Sequence, residues 1–413
     1  MKQYVIIGNG VAATGCVEGI RSADSEGKIT VISGENRSVY CRPLISYYLE
    51  GKSAPEKMNY RAPDFAEKMN CDILYGKQAV QLDGKTVVLD DGTTLPYDEV
   101  CIAAGSMPFV PPFEGLETVE KQFSFMTMDD ALALDAAVSK DSRVLIVGAG
   151  LIGLKCAEGL HGRVASLTVC DLADRVLSSI LDTQSAAVMQ QHLESNGIHL
   201  RLGDTVSRFE KNVAFMRSGA QAAFDVLVLA VGVKANTALA RQAGAEVNRG
   251  ILVNEKMETT VPGIYAAGDC TEGMDASLGQ RRVLAILPNA YLQGRCAGIN
   301  MAGGNAVHDK AIPMNSLGLL GLHAMTAGTA FSEAEGGSMV EEKSEAGWKR
   351  FFLKDGYLTG FMLLGDVDRA GIYTALIREK TPLDTIDFAA LKKSPTLAAM
   401  PQENRRKKLG GVV

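Results

Sequence analysis

Two stretches of this sequence combine an apolar run with glycines in a spacing that can handle phosphate. Tyr4-Val5-Ile6-Ile7 leads directly into Gly8-Asn9-Gly10-Val11-Ala12-Ala13, a G-x-G-x-x-A turn between strand-forming and helix-forming residues. Gly8 permits the tight turn and Gly10 lets backbone approach a pyrophosphate. Ala13 lets the helix settle on the strand with its N-terminus toward the anion. Arg143-Val144-Leu145-Ile146-Val147 repeats the device, entering Gly148-Ala149-Gly150-Leu151-Ile152-Gly153, a full G-x-G-x-x-G. An acid follows each loop at the end of the next apolar strand. Glu35 comes 27 positions after Gly8 (35 minus 8), and Asp171 comes 23 positions after Gly148 (171 minus 148). A carboxylate there accepts hydrogen bonds from a ribose, so each unit is complete as strand, loop, helix, strand and acid.

Composition narrows what such units belong to. At 413 residues the chain exceeds one core, and two or three domains are expected. Its 46% hydrophobic and 22% charged residues are those of an ordinary globular protein, and a net charge of -6 gives no footprint for nucleic acid. The uncharged run 311–332 is interrupted by Asn315, Ser316, His323 and glycines, so it reads as buried strands and no membrane span is expected. Strand-forming residues begin by Tyr4, which leaves no room for a secretory leader, and a cytoplasmic location is the expectation. None of the eight cysteines forms a C-x-x-C pair and the five histidines show no ligand spacing, so no metal or cluster site is expected.

Four further segments extend the pattern. They are Tyr40-Cys41-Arg42-Pro43-Leu44-Ile45-Ser46, Tyr97-Asp98-Glu99-Val100-Cys101-Ile102-Ala103-Ala104-Gly105-Ser106-Met107-Pro108, Gly232-Val233-Lys234-Ala235-Asn236, and the run from Thr259 to Gly268-Asp269. Together with the two loops they resemble the FAD-dependent NAD(P)H:acceptor oxidoreductases of the pyridine nucleotide-disulfide oxidoreductase superfamily. That group holds rubredoxin reductases, ferredoxin reductases and the flavin part of assimilatory nitrite reductases. The likeness spans roughly residues 3 to 305 and is poor beyond. It implies that Gly8, Gly10 and Ala13 hold FAD, with Arg42 beside the flavin and pyrophosphate and backbone near Ala79 at the adenine. It also implies that Gly105 closes over the cofactor, Gly268 lets backbone pass close to it, and Asp269 accepts a hydrogen bond from the ribityl chain. The helix starting at Leu287-Pro288 would face the flavin's pyrimidine end, where its dipole favours anionic reduced flavin. Gly232 would lie in the turn that closes the nicotinamide domain.

The fold class implied is α/β, with two Rossmann-like dinucleotide-binding domains of the glutathione reductase-like three-layer ββα kind and a small α+β C-terminal domain. The expected boundaries are 1–113 plus 243–307 for a split FAD domain, 114–242 for an NAD domain and 308–413 for a C-terminal interface domain. Within the second unit, Asp171 bonds the 2'-hydroxyl of NAD and repels the 2'-phosphate of NADP, which favours NADH, with Arg175 close by. Ala222 to Val231 reads as one strand, and Asp366 to Ile377 as a helix. Phe351-Phe352-Leu353-Lys354 and Tyr357 to Leu364 read as a hairpin about Asp355-Gly356.

Two dinucleotide sites in one chain imply hydride transfer from NADH to flavin N5, with the protein supplying alignment. Electrons would then pass to a redox protein: rubredoxin, ferredoxin or an iron-sulfur partner subunit. The chain would act alone, as a homodimer, or as the NAD port of a multi-subunit dehydrogenase. Lys155 stands where many relatives carry glutamate, placed to stabilise charge on reduced flavin, and Tyr47 stands where ferredoxin-reductase relatives carry lysine. Cys41 leaves open an NADH oxidase, peroxidase or disulfide reductase, although alignment on Gly51 puts Pro43 at the redox position. The basic tail Arg405-Arg406-Lys407-Lys408 reads as a solvated end.

Overall fold

A computed structural model describes residues 1–400 and divides the chain into two units, one of Met1–Met274 with Arg281–His308 and the other of Asp275–Gln280 with the chain from Asp309 onward. The basic tail lies outside the described residues.

The first unit contains the same architecture twice. One five-stranded sheet runs in the order Cys71–Tyr75, Lys28–Ser33, Gln3–Ile7, Glu99–Ile102, Ile264–Ala266, and all its pairings are parallel. The other runs Ile198–Leu202, Ser166–Asp171, Arg143–Val147, Val226–Leu229, Gln122–Phe123, again all parallel. Parallel strands covered on both faces read as continuous apolar runs, as do Tyr4–Ile7 and Val144–Val147, all of them buried. A three-stranded antiparallel meander stands between the third and fourth strands of the first half, in chain order, and between the fourth and fifth of the second. It comprises Ala79–Leu82, Thr86–Leu89 and Thr94–Pro96 in the first, and Val206–Glu210, Val213–Met216 and Gln221–Ala223 in the second. The late strand Ile264–Ala266 beside Glu99–Ile102 shows that the chain leaves the first sheet, builds the second, and returns.

The expected strand 222–231 is two strands in different sheets. Phe224 turns the chain between them: its N–H donates to Asn212 O, and its ring packs edge-on against Phe209 at 5.9 Å. An apolar residue at the bend hid the break.

Helices Val11–Ala23 and Leu287–Met301 of the first unit touch backbone to backbone. A Cβ on Gly15 or Gly19 would run into the carbonyls of Tyr291 or Arg295, and one on Gly294 or Gly298 into those of Ala12 or Cys16. Only glycine allows so close an approach, and it fixes the two helix N-termini relative to each other.

The second unit is an antiparallel five-stranded sheet in the order Met314–Leu319, Leu322–Gly328, Tyr357–Gly365, Gly347–Lys354, Gly337–Ser344. Asp355 (φ +50°) and Gly356 (φ +79°) make the tight turn of the expected hairpin. The helix expected from Asp366 begins only at Gly371 and ends at Arg378. Asp366 instead pairs with the buried Lys349 at 2.7 Å and accepts the Asp368 N–H, which holds the segment as a turn.

Candidate active site

The two glycine loops are built alike. Gly8 has φ +113° and donates its N–H to Ile32 O at 2.8 Å; a Cβ there would strike the Ala103 carbonyl. Gly148 has φ +118° and donates to Cys170 O at 2.7 Å, and a Cβ there would strike the Ala230 carbonyl. Gly10 and Gly150 are the N-caps of helices Val11–Ala23 and Leu151–Leu160 and have no side-chain cap. A Cβ on either would meet nothing within 4 Å. The leading amides of both helices therefore look out over open ground, the arrangement that receives a phosphate. Ala13 is buried under the first helix, and Gly153 presses on the Gly148 carbonyl under the second.

The acids that follow the loops are placed differently. Asp171 accepts from Ala149 N–H at 2.6 Å through Oδ2 and from Ala173 N–H at 2.8 Å through Oδ1, leaving each oxygen a lone pair for a ribose hydroxyl. Arg175 is paired with Asp174 at 2.8 Å. Glu35 already holds three side chains: Arg42 Nη2 donates to its Oε1 at 2.7 Å, Tyr40 Oη to its Oε2 at 2.9 Å, and Arg37 Nε pairs with Oε2 at 3.8 Å. Tyr40 Oη also accepts the Met128 N–H, and Arg42 Nη1 donates to Met126 O, so the first unit's acid is tied to the helix Met128–Ala137. Burial pushes the Tyr40 phenol up to about 12, which keeps it a donor. Its position inside the Tyr40–Ser46 motif was visible in sequence, but this double bonding was not.

Asp269 faces the same region. Burial raises its carboxyl above the ordinary carboxylate value and the Arg42 guanidinium acts in the opposite direction, so the two lie within each other's field. Among the described residues no donor hydrogen-bonds its carboxylate. Gly268 (φ +85°) passes so close to the first loop that a Cβ would sit 3.0 Å from Ala12 Cβ. Pro288 occupies the first turn of helix Leu287–Met301 and is exposed. Ala79 follows Lys77, whose N–H donates to Ser33 O, and so lies by the Glu35 end. Gly105 (φ +63°) and Ala104 offer their carbonyls to Asn236 N and Nδ2 at 3.0 and 2.7 Å. Gly232 O takes the Phe109 N–H, so strands Ser106–Pro108 and Val233–Ala235 form the paired crossing between the halves.

The segment after Arg42 meets the second half closely. Gly159 lies against Leu49, with 2.8 Å from its would-be Cβ to Leu49 Cβ. Tyr48 Oη and Arg163 Nη2 both donate to Asp135, at 3.0 and 2.5 Å. Lys155 Nζ lies 5.0 Å from the Tyr47 ring centroid and pairs with Glu158, which is 7% exposed. Sequence reasoning found Lys155 but missed Glu158, one turn further along the same helix, and the Asp135–Arg163 pair of the second half, which Tyr48 meets only once the halves dock.

Cys41 is half-buried just before the short turn Arg42–Leu44, and burial raises its thiol above the ordinary value. A redox thiol needs the opposite shift. Among the described residues no group of His, Cys, Asp or Glu could hold a metal ion, and no helix is long and apolar enough to cross a membrane.

These residues could hold a dinucleotide in each half: uncapped helix starts, loops open at Gly10 and Gly150, an Asp171 carboxylate with lone pairs to spare and the half-buried carboxylate of Asp269. A family model described as pyridine nucleotide-disulphide oxidoreductase matches residues 2–294. The NADH-dependent phenylglyoxylate dehydrogenase subunit epsilon of Aromatoleum evansii is 32% identical over 392 residues, covering 92% of each chain. An NADH oxidase of Methanocaldococcus jannaschii is 34% identical over 313 residues, 72% of this chain and 70% of its own. Among solved structures, the reductase of the covalent putidaredoxin reductase–putidaredoxin complex superposes with TM-score 0.86 at 24% identity, over 96% of this chain and 99% of that one.

Proposed function

The chain belongs to the pyridine nucleotide-disulphide oxidoreductase family, and on that premise we propose that it is the NADH-facing flavin component of an electron-transfer system whose acceptor is an iron-sulfur partner subunit. It is an NADH-dependent flavin oxidoreductase with FAD as cofactor. FAD supplies hydride acceptance at N5 and release of electrons one at a time. The residues of this chain bind and align. The Gly8–Ala13 loop with helix Val11–Ala23 would hold the FAD pyrophosphate, Asp269 its ribityl chain, and Glu35 with Arg42 its adenosine side and pyrophosphate. The Gly148–Gly153 loop and Asp171 would hold NADH. The docked segment Arg42–Leu49 fixes the distance between the two sites, and near-attack alignment is most of what such a hydride transfer asks of a protein.

The observation that carries the choice of acceptor is length. The epsilon subunit of a dehydrogenase matches this chain over 92% of both sequences, an extent that must reach into the C-terminal region that the motifs leave unaccounted for. The NADH oxidase matches less of each chain. Against a thiol-based oxidase or disulfide reductase stands Cys41, whose burial keeps it protonated. The test is to purify the native protein with its associated chains and assay NADH oxidation with rubredoxin, ferredoxin, quinone and oxygen, in wild type and Cys41→Ser. Co-purification of an iron-sulfur chain that the protein reduces, with Cys41→Ser unaffected, is the expected result. Full turnover alone with oxygen, lost in Cys41→Ser, would replace this reading with the oxidase.

A further inference from the structure

We propose that Gln293 is a positioning residue that aims Asp269 into the FAD site; the inference rests on the FAD reading above. Gln293 projects from helix Leu287–Met301 and is 4% exposed. Its Oε1 accepts from Gly268 N–H at 2.8 Å and lies 3.1 Å from Thr271 Oγ1, whose proton is shared with Gly268 O at 2.8 Å, so one amide oxygen touches both sides of Asp269. Thr271 is buried as well, and its N–H donates to Gly268 O at 2.9 Å, which closes Gly268–Thr271 into a turn with Asp269 inside it. Gly268 holds a left-handed conformation that the turn needs and no other residue would adopt without strain.

The next residue, Gly294, lies against the Ala12 carbonyl, and Gly268 lies against Ala12 Cβ. Gln293 therefore stands where three parts of the cradle converge: the first glycine loop, the Gly-Asp turn and the helix whose start is Pro288. Asp269 has no protein donor of its own among the described residues. Its direction is set by the backbone of the turn, and the turn is set by Gln293. Removing the amide oxygen leaves the buried Gly268 N–H without an acceptor, whereas the Thr271 hydroxyl keeps Gly268 O at 2.8 Å, and the turn must shift to satisfy that N–H.

The test compares Gln293→Met, which keeps the length and removes the acceptor, with Gln293→Glu, which keeps an acceptor oxygen. FAD affinity is read by flavin fluorescence on adding cofactor to the apoprotein, and the flavin potential by dye equilibration of the loaded protein. Gln293→Met is expected to bind FAD about 10- to 100-fold more weakly and to show a displaced potential, with Gln293→Glu recovering most of the affinity. Thr271→Val, which removes one donor and leaves Gly268 bonded, is expected to fall between Gln293→Met and wild type, and it serves if Gln293→Met does not fold. Wild-type affinity and potential in Gln293→Met, or in Thr271→Val where that variant stands in, would overturn the proposal. So would a Gln293→Glu as weak as Gln293→Met. A wild-type apoprotein that takes up no FAD would overturn the FAD reading itself, an outcome distinct from an unaffected variant.

Discussion

Lys155 Nζ stands 5.0 Å from the centroid of the Tyr47 ring, so a cation from the second dinucleotide half rests on an aromatic from the first. Lys155 comes two positions after the Gly148–Gly153 loop, in the first turns of helix Leu151–Leu160, and Tyr47 lies in the segment that follows Arg42. The pair therefore joins the helix of the proposed NADH loop to the segment after the proposed FAD contact Arg42, and Glu158 holds the ammonium in place. Lys155→Met removes the charge and keeps the length. Flavin reduction by NADH is expected to slow about tenfold or more, as for loss of one electrostatic donor at a reacting centre, while FAD stays bound. Tyr47→Phe keeps the ring face and is expected to leave the rate within about twofold. Stopped-flow absorbance near 450 nm reads both.

The glycines of the first loop separate folding from binding. Gly8 combines φ +113° with a carbonyl where a Cβ would go, whereas Gly10 has open space. Gly8→Ala is expected to destabilise by about 2 kcal/mol or more, through strain and overpacking. Gly10→Ala is expected to keep the apoprotein's urea midpoint and to weaken FAD binding about tenfold or more, because its methyl group would enter the open space proposed for the pyrophosphate. Urea unfolding and a fluorescence titration together make the distinction.

Much of this was legible in sequence, for a physical reason. A glycine loop between strand and helix, followed by an acid, is fixed by local geometry within about thirty residues, so Gly8, Gly148 and Asp171 declare themselves. Gln293 does not: the two donors that define it belong to a turn more than twenty residues earlier, and only the fold brings them together. The backbone contact of Gly15 and Gly19 with Tyr291 and Arg295 joins opposite ends of the first unit. Its trace was the four-residue spacing of small residues in both helices. Glu35 was found as an acid after a strand, but its sharing between Tyr40 and Arg42 depends on docking with Met126 and Met128 of the second half. The break at Phe224 was hidden because a buried aromatic makes the turn.

On the proposed reading, Asp171 sets the choice between NADH and NADPH. Its carboxylate is anchored by the Ala149 and Ala173 amides, and Leu172 beside it is exposed. Replacing Asp171 by Ala and Leu172 by Arg removes the repulsion and adds a phosphate partner. The ratio of kcat/KM for NADH over NADPH is expected to fall by about 100-fold, some 2.7 kcal/mol of discrimination. Steady-state kinetics with both nucleotides check it.

If Asp269 holds FAD as proposed, it trades apoprotein stability for binding. Burial raises its carboxyl above the unfolded value, so the native state holds more protons in the window between the two. Apoprotein stability contributed by this group therefore falls as pH rises through that window, and the penalty is complete above it. Asp269→Asn is expected to melt at or above wild type at pH 7 as apoprotein. It is also expected to bind FAD about 10- to 100-fold more weakly, through loss of a charged acceptor. Apoprotein melting at pH 4 and pH 7, with a cofactor titration at pH 7, tests both halves.

The central claim is that NADH held by the Gly148 loop delivers hydride to FAD held by the Gly8 loop, and that the electrons leave singly to an iron-sulfur partner. Anaerobic mixing of the FAD-loaded protein with one equivalent of NADH, then with a one-electron iron-sulfur protein, measures it directly. The expected result is bleaching near 450 nm, followed by recovery as about two equivalents of the partner are reduced. A yellow protein that NADH does not bleach, or one that bleaches and then recovers only with oxygen, would contradict it.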